Sequence, residues 1–213
     1  MQLYSFFNSS TSYRVRIALA LKGLVADYHG VNLRAGEQRS AQHRELSPVG
    51  GVPVLVDDDG ATLTQSLAII DYLDARHPEV PLIPREPLQR ARVLEVANLI
   101  ACDIHPINNL RVLGYLQQTL GASAEQKNAW YAHWVQQGLA AVEELLRRHG
   151  CGPFCFGDAP TLADCCLVPQ VANAERVGCE LSGFPLVLAV YRHCQAQTAF
   201  QLAAPGQQPD FIQ

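Results

Sequence analysis

The sequence has little of the charge that marks nucleic-acid-binding proteins and none of the long apolar runs that mark membrane proteins. Only 17% of its 213 residues are charged, with a net charge of -4. No block of like charge could follow a phosphate backbone, so we expect no nucleic-acid partner. The apolar runs, such as residues 186–191, are far shorter than the ~20 residues of a membrane-spanning helix. We therefore expect no membrane partner either.

Targeting signals and paired cysteines are also missing. The first seven residues contain neither a basic stretch nor a long apolar one, so they do not resemble a signal peptide, and we expect a cytoplasmic protein. The seven cysteines are an odd number, and no two have C-x-x-C spacing. We expect reduced thiols, mostly buried, and no zinc or other metal site.

What the sequence does contain is enough apolar material for a folded core. Apolar residues make up 48% of the chain and the mean hydropathy is +0.02, which indicates one or two globular domains. The first eighty residues alternate between β-type and helix-type patterns and predict the order β-α-β-α-β-β-α of a thioredoxin-like domain. The predicted strands are 3–6, 28–33, 52–56 and 61–63, and the predicted helices are 13–21, 39–46 and 66–77.

Strand patterns end after a stiff linker with four prolines in residues 78–87. Long helical patterns then follow, and they predict an all-α bundle. The fold class is therefore an α/β domain, residues 1–80, followed by an all-α domain, residues 87–213, with a loose tail from residue 203. The predicted helices of the second domain are 87–120, 124–149, 161–175 and 185–200.

Four hydroxyl residues in a row, residues 9–12, precede the first predicted helix. A helix N-terminus carries partial positive charge and unpaired N–H groups, so it stabilises an anion and lowers the pKa of a thiol placed there. Ordinary N-capping by Ser or Thr is the alternative explanation of this pattern.

Two other segments have the chemistry to bind a peptide. Val52-Pro53 opens a predicted strand, where proline is typically an edge or turn residue, but in thioredoxin-like domains this proline is typically cis and its neighbour pairs with an extended peptide. Gln65-Ser66 stands at a further helix N-terminus and offers a second anion site. Together the segments could hold a peptide with a thiol at one end and a carboxylate at the other.

Three segments now resemble the zeta class of the glutathione transferase superfamily. Residues 9–19 (S-S-T-S-Y-R-V-R-I-A-L) are similar to the zeta signature S-S-C-x-W-R-V-R-I-A-L. Residues 65–73 form the second segment, and residues 157–164 with 167–176 form the third. In the third segment Thr161 and Asp164 have the spacing of a capping box, which we interpret as structural and not catalytic.

The resemblance implies the glutathione transferase fold, with glutathione bound to the first domain as a cofactor. It implies that Gln65 and Ser66 hold the γ-glutamyl carboxylate and that the backbone at Val52 and Pro53 pairs with the cysteinyl unit. Gln38, in the loop before the second helix, is assigned to the glycyl end. The catalytic residues that the resemblance places at the glutathione sulfur are Ser9, Ser10 and Thr11.

The implied reaction is cis-trans isomerisation of maleylacetoacetate to fumarylacetoacetate in aromatic catabolism, by a homodimer. The thiolate of glutathione adds to the double bond, the resulting single bond rotates, and the thiolate leaves again. Thr11 stands where the zeta signature has cysteine, so no enzyme thiol acts at that place. Maleylpyruvate is the alternative substrate, a general transferase or dehalogenase is a second alternative, and a non-catalytic binding protein is a third.

A substrate with carboxylate groups calls for an arginine. Arg111 and Arg176 are the candidates, although each could be an ordinary surface arginine. Arg14 and Arg16 lie near the thiol site in sequence, and for Arg14 a structural role is favoured.

Pro106 is expected to kink the helix at residues 102–109 and to open a pocket there. The polar residues assigned to line that pocket and bind substrate are His105 and Asn108.

Overall fold

The computed structural model describes residues 1–212 and divides into two compact units. The first unit is Met1–Ile83 together with the chain from Gln195 onward, and the second is Pro84–Cys194. The sequence pattern predicts a helical domain that continues to residue 213, whereas in the structure the described chain from Gln195 onward belongs to the first unit.

The first unit has the predicted thioredoxin-like order. Its sheet has the strand order β2-β1-β3-β4, in which β1 and β2 are parallel and the hairpin strands β3 and β4 are antiparallel to their neighbours. The α/β fold class of this region is therefore confirmed. The elements are β1 (Gln2–Ser5), α1 (Ser10–Lys22), β2 (Asp27–Gly30), α2 (Ala41–Leu46), β3 (Val54–Val56), β4 (Thr62–Thr64) and α3 (Ser66–Arg76).

Helix α1 is buried over most of its length. The Ser9 side chain caps its first turn, and Gly23 ends it in the left-handed conformation (φ 65°), which glycine adopts without steric cost. Val15, Ile17 and Ala18 are completely buried. A helix buried on several faces needs cover on more than the sheet side, and a short C-terminal helix, α9 (Thr198–Ala203), packs against α1 in the same unit.

The C-terminal segment is anchored and not loose, so that prediction is wrong for the residues that the structure describes. The Asp210 carboxylate accepts hydrogen bonds from the Phe7 N–H at 3.0 Å and from the Tyr28 hydroxyl at 2.6 Å. Arg16 Nε donates to the Ala203 carbonyl at 2.9 Å. These partners are far away in sequence, so no local pattern could reveal them.

The second unit is helical, as predicted, and two capped helices, α6 (Ala124–His149) and α7 (Leu162–Arg176), lie where the pattern places them. The predicted helix 185–200 is broken after Gln195, because α9 begins separately and joins the first unit. The helices of the second unit are α4 (Pro87–Asn98), α5 (Leu110–Gln118), α6 (Ala124–His149), α7 (Leu162–Arg176) and α8 (Pro185–Gln195).

The predicted continuous helix 87–120 is wrong. After α4 the chain widens into a π-helical segment, Leu99–Ile104, in which the His105 N–H donates to the Ile100 carbonyl. A 3-10 turn, Pro106–Asn108, follows before α5. Such widened turns bend helices as prolines do. Gly138 of α6 lets the segment approach closely, since a Cβ at Gly138 would lie 2.3 Å from Ile104 Cγ1.

The predicted capping box at the start of α7 is confirmed. The Asp164 carboxylate accepts from the Thr161 N–H and the Cys155 N–H, both at 2.8 Å. Asp164 is completely buried, and this burial raises the pKa of its carboxyl group. No helix in residues 1–212 is long and apolar enough to cross a membrane.

Candidate active site

A chain of hydroxyl groups joins the N-terminus of α1 to the loop before β3. Thr11 Oγ1 lies 2.9 Å from the Val52 carbonyl oxygen, and Ser9 Oγ lies 2.9 Å from Thr11 Oγ1. Because a carbonyl can only accept, the Thr11 hydroxyl donates to Val52, and the Ser9 hydroxyl then donates to Thr11. Ser9 Oγ also accepts from the Ser12 N–H at 3.2 Å.

This chain commits the hydroxyl protons of Ser9 and Thr11 to neighbours within the protein. An anion at this helix end would therefore be stabilised chiefly by the partial positive charge of the helix N-terminus. Ser10, the first residue of α1, is 6% exposed. N-capping, the alternative explanation of the hydroxyl cluster, is correct for Ser9, but it does not account for the Thr11 bond to Val52.

The loop that carries Val52 is held by hydrogen bonds with His43 and Ser47. The Val52–Pro53 peptide bond is cis, and Pro53 is buried. His43 Nε2 lies 2.9 Å from the Gly51 carbonyl oxygen, and the Gly51 N–H donates to Ser47 Oγ at 3.1 Å. No sequence pattern indicates that His43 of α2 and Ser47, the residue after α2, bond to this loop.

A second potential anion site lies at the N-terminus of α3. Gln65 precedes the helix with φ 69°, a left-handed conformation that costs free energy in residues other than glycine and is concentrated at functional sites. Ser66, the first helical residue, is 5% exposed. Arg14 Nη1 donates to Ser66 Oγ at 3.2 Å. The structure therefore brings Arg14 of α1 to the same helix end as Gln65 and Ser66.

Gln38 lies in a 3-10 turn between β2 and α2. Its Nε2 is 3.5 Å from the Leu33 carbonyl oxygen, and its buried Oε1 has no hydrogen-bond partner in the described chain. An unpaired acceptor suits an N–H donor better than a carboxylate. The geometry thus fits Gln38 to a peptide N–H of a ligand, which is compatible with its predicted place at the glycyl end.

In the second unit, Asn108 and Arg176 both act on Tyr131 of α6. Asn108 Nδ2 donates to the Tyr131 carbonyl at 3.2 Å. Burial raises the pKa of the Tyr131 phenol to about 12, and the Arg176 charge opposes this rise. Arg176 itself is exposed and donates to Asn173 Oδ1 at 2.9 Å. No sequence pattern indicates the bond from Asn108 to Tyr131, because 23 positions separate them.

The other two substrate candidates lie near the start of α5. Asn109 Nδ2 is 3.4 Å from His105 Nε2, and Asn109 Oδ1 accepts from the Arg111 N–H at 3.2 Å. Asn109 therefore caps α5 and also contacts His105. The Arg111 side chain is exposed, so its guanidinium group is accessible to a ligand.

The site does not have the donor arrangement of a metal centre. Within residues 1–212, no group of three or more His, Cys, Asp or Glu side chains is placed to hold a metal ion. All seven cysteines are free, and four of them are buried. The groups that remain for binding are N–H groups, hydroxyls, amides and arginines.

Comparison with known proteins identifies the family. Residues 8–76 match the family described as "Glutathione S-transferase, N-terminal domain", and residues 128–195 match "Glutathione S-transferase, C-terminal domain". A structure described as the holo form of maleyl pyruvate isomerase, a bacterial zeta-class glutathione transferase, is 44% identical, covers 100% of both chains and has a TM-score of 0.96. The chain belongs to the zeta class of the glutathione transferases.

Relatives of this zeta-class protein carry two names. Maleylacetoacetate isomerase of Pseudomonas aeruginosa is 49% identical over 99% of this chain and 98% of its own. Maleylpyruvate isomerase of a Ralstonia species is 44% identical over 99% of both chains. The crystal structure of maleylpyruvate isomerase from Pseudomonas aeruginosa PAO1 is 57% identical, with a TM-score of 0.86 over 100% of both chains.

Glutathione is the cofactor of this family, and the first unit fits it. A maleylacetoacetate isomerase from Anaeromyxobacter dehalogenans, 42% identical with a TM-score of 0.89 over 99% of this chain and 97% of its own, was solved with glutathione in its active site. In this zeta-class protein the buried Arg14 Nη2 and Gln38 Oε1 have no partner in residues 1–212. The buried positive charge of Arg14 beside the Ser66 hydroxyl favours a carboxylate bound at Ser66, and the buried acceptor of Gln38 suits a peptide N–H group.

Proposed function

We propose that this zeta-class protein is a glutathione-dependent cis-trans isomerase of maleyl diketo acids. The observation that carries the proposal is the hydroxyl chain from Ser9 through Thr11 to the Val52 carbonyl. It joins the N-terminus of α1, where a thiolate would be stabilised, to the loop whose backbone would pair with a peptide. The anion site at Ser66 belongs to the same unit.

The first unit would bind the γ-glutamyl, cysteinyl and glycyl parts of glutathione at separate places. Ser66 and Gln65 at the N-terminus of α3 would bind the γ-glutamyl carboxylate. The backbone at Val52 and Pro53 would pair with the cysteinyl unit, and Gln38 would accept a peptide N–H of the ligand.

Ser9, Ser10 and Thr11 would surround the sulfur. Bound glutathione supplies a nucleophilic thiol that can add reversibly to a double bond. The part of this chain in the chemistry is to keep that sulfur ionised, through the helix N-terminus and the Ser10 side chain. The Ser9 and Thr11 hydroxyls position the helix end and the loop and do not donate protons to the sulfur.

The substrate carboxylates would be bound by residues of the second unit. Arg176 and Arg111 are exposed guanidinium groups that can form paired hydrogen bonds with a carboxylate. Asn108 and His105 would supply polar contacts to the keto oxygens. The bond from Asn108 to the Tyr131 main-chain carbonyl would fix the position of Asn108, and the bond to Asn173 that of Arg176.

We assign maleylacetoacetate as the substrate, with fumarylacetoacetate as product, in keeping with the name of the Pseudomonas aeruginosa relative. Maleylpyruvate is the second candidate, and two observations favour it. The structure with 57% identity is a maleylpyruvate isomerase, and Thr11 replaces the cysteine of the zeta signature. The two substrates share the same double bond and differ in the length of the keto-acid arm.

The test is to follow the loss of enol absorbance of each compound with and without catalytic glutathione. Isomerisation of at least one compound with full recovery of glutathione supports the proposal, and the ratio of kcat/KM values assigns the substrate. Consumption of glutathione with a conjugated product would instead indicate a general transferase or dehalogenase. Failure to bind glutathione in calorimetry would leave only a non-catalytic binding protein.

We extend the proposal to a cytoplasmic homodimer, as the resemblance to the zeta class implies. Light scattering on the purified chain tests this part independently, with twice the mass of 23.3 kDa as the expected result. A fully active monomer would contradict the proposed homodimer and leave the proposed reaction unchanged.

A further inference from the structure

Helix α1 carries two buried arginines, of which Arg16 donates hydrogen bonds from all three guanidinium nitrogens and Arg14 from only one. Arg16 donates from Nε to the Ala203 carbonyl, from Nη1 to Ser5 Oγ and the Phe6 carbonyl, and from Nη2 to the Phe7 carbonyl, at 2.9 to 3.2 Å. Arg14 donates only from Nη1, to Ser66 Oγ at 3.2 Å. Its Nε and Nη2 are buried and have no partner in residues 1–212.

This difference needs a physical reason. Arg14 is 2% exposed and Arg16 is 5% exposed, so water does not solvate either guanidinium group appreciably. A buried charge without full hydrogen bonding lowers stability, and buried polar groups in folded proteins are nearly always paired. Arg16 has a structural role that accounts for its burial, because it joins the end of β1 to α9. Arg14 has no comparable set of partners.

The position of the Arg14 guanidinium group indicates what offsets the free-energy cost of its burial. Ser66 Oγ accepts from Arg14 and therefore cannot direct the same lone pair elsewhere, which leaves its hydroxyl proton available to an acceptor. Ser66 is the first residue of α3, an eleven-residue helix, where N–H groups and the helix dipole also favour an anion. A carboxylate at Ser66 would thus meet a hydroxyl donor and helix N–H groups, with the positive charge of Arg14 on the same hydroxyl oxygen.

We propose that Arg14 is a positioning residue for the γ-glutamyl carboxylate of glutathione, acting through the Ser66 hydroxyl that it orients and through its buried positive charge. The proposal rests on the proposed function, because it concerns the same cofactor. Arg14 would act without touching the ligand, because its bond goes to Ser66 Oγ and its other two guanidinium nitrogens are inaccessible to solvent. Its effect is on affinity for the carboxylate end and not on the chemistry at the sulfur.

The test compares two ligands by calorimetry: glutathione, and glutathione in which the γ-glutamyl α-carboxylate is replaced by a carboxamide. In Arg14→Met the affinity for glutathione should fall about tenfold or more, the size expected for a lost charge-assisted interaction. The affinity for the carboxamide should change by less than about twofold on the same grounds. Arg14→Lys, which restores the charge, should recover part of the loss. In turnover, KM for glutathione should rise while kcat at saturating glutathione is retained.

Arg16→Lys is the matched control, because it alters the other buried arginine of the same helix. It should lower the melting temperature and leave the ratio of the two affinities unchanged. If Arg14→Met does not fold, Arg14→Gln gives the same comparison, since the amide keeps a donor for Ser66 Oγ and removes the charge.

Equal weakening of both ligands in the Arg14 variants, or no weakening of either, would overturn the role of Arg14 while leaving the proposed function intact. A wild-type protein that binds neither ligand would overturn both. A Ser66→Ala background in which Arg14→Met still costs the full factor would show that Arg14 does not act through Ser66, and would overturn that part of the proposal.

Discussion

Thr11 Oγ1 donates to the Val52 carbonyl oxygen across 2.9 Å, although 41 positions separate the two residues. The bond joins the first turn of α1 to the loop that carries the cis Val52–Pro53 peptide. Thr11 stands where the zeta signature has a cysteine, and a thiol is a weaker hydrogen-bond donor than a hydroxyl. In this chain the Thr11 side chain therefore links two parts of the proposed glutathione site and supplies no enzyme thiol.

Thr11→Val keeps the side-chain shape but removes the hydroxyl. The Val52 carbonyl then loses a partner, and the loop is less well fixed. We expect the affinity for glutathione to fall between about three- and tenfold, as for one neutral hydrogen bond. Thr11→Ser is the control, because it retains the hydroxyl and should bind glutathione as wild type does. Equal affinity of Thr11→Val and wild type for glutathione in calorimetry would show that the Thr11–Val52 bond does not support glutathione binding.

Arg176→Ala tests the assignment of the substrate carboxylate. Because charge-assisted bonds to a carboxylate are strong, KM for the diketo acid should rise about tenfold or more. Glutathione affinity should stay nearly the same, since Arg176 is in the second unit. Arg192→Ala removes another exposed arginine, from α8, and should change neither quantity. An Arg176 variant that loses glutathione affinity with unchanged KM for the diketo acid contradicts the assignment.

Tyr72→Phe should make stability less dependent on acid pH. The Tyr72 hydroxyl donates to Asp57 Oδ2 at 2.5 Å, and this bond is the main cause that lowers the pKa of Asp57. A carboxyl whose pKa is lowered by folding stabilises the protein above its unfolded value of about 3.9, and this contribution is lost as the pH falls through the folded value.

The difference in unfolding free energy between wild type and Tyr72→Phe should therefore be largest near neutral pH and should shrink in acid. Denaturant titrations across this range measure it. Tyr4→Phe is the control, because the Tyr4 hydroxyl bonds to the Gln2 amide, which does not titrate. A difference for Tyr72→Phe that stays constant down to the lowest pH would show that Asp57 is not coupled to Tyr72.

Asp164→Ala should strongly destabilise the second unit. The substitution leaves the Thr161 and Cys155 N–H groups without the acceptor that they have in the buried cap. The expected loss in free energy of unfolding is about 2 to 4 kcal/mol. Asp158→Ala alters an exposed carboxylate nearby and should change stability by less than about 0.5 kcal/mol. Equal stabilities of the two variants would mean that Asp164 does not hold the cap.

The sequence predicted those elements whose signals are local. Alternating apolar residues and turn residues placed the strands of the first unit, and the Thr161 and Asp164 pair placed the start of α7. The break between α4 and α5 was not predicted beyond Pro106, because the apolar period continues through the π-helical segment Leu99–Ile104. The close approach of Ile104 to Gly138, which no local sequence pattern indicates, is seen only in the packed structure.

In the candidate site, too, residues with a local sequence signal were predicted and long-range contacts were not. The hydroxyl cluster and Ser66 were found because helix starts have a recognisable chemistry. Arg14 was interpreted as structural, because nothing in its neighbourhood in sequence indicates that its guanidinium group meets Ser66, which is 52 residues away. The anchoring of Asp210 to Phe7 and Tyr28 was missed for the same reason. Long-range pairs of polar groups have no periodic signature.

The most direct test of the central claim is a pH titration of the thiolate absorbance of glutathione bound to the wild-type protein. The account predicts a thiol pKa at least about one unit below the ordinary value near 8.5, because the N-terminus of α1 stabilises the anion. In Ser10→Ala the pKa should move back towards the ordinary value. A bound thiol that titrates like that of free glutathione would contradict the account.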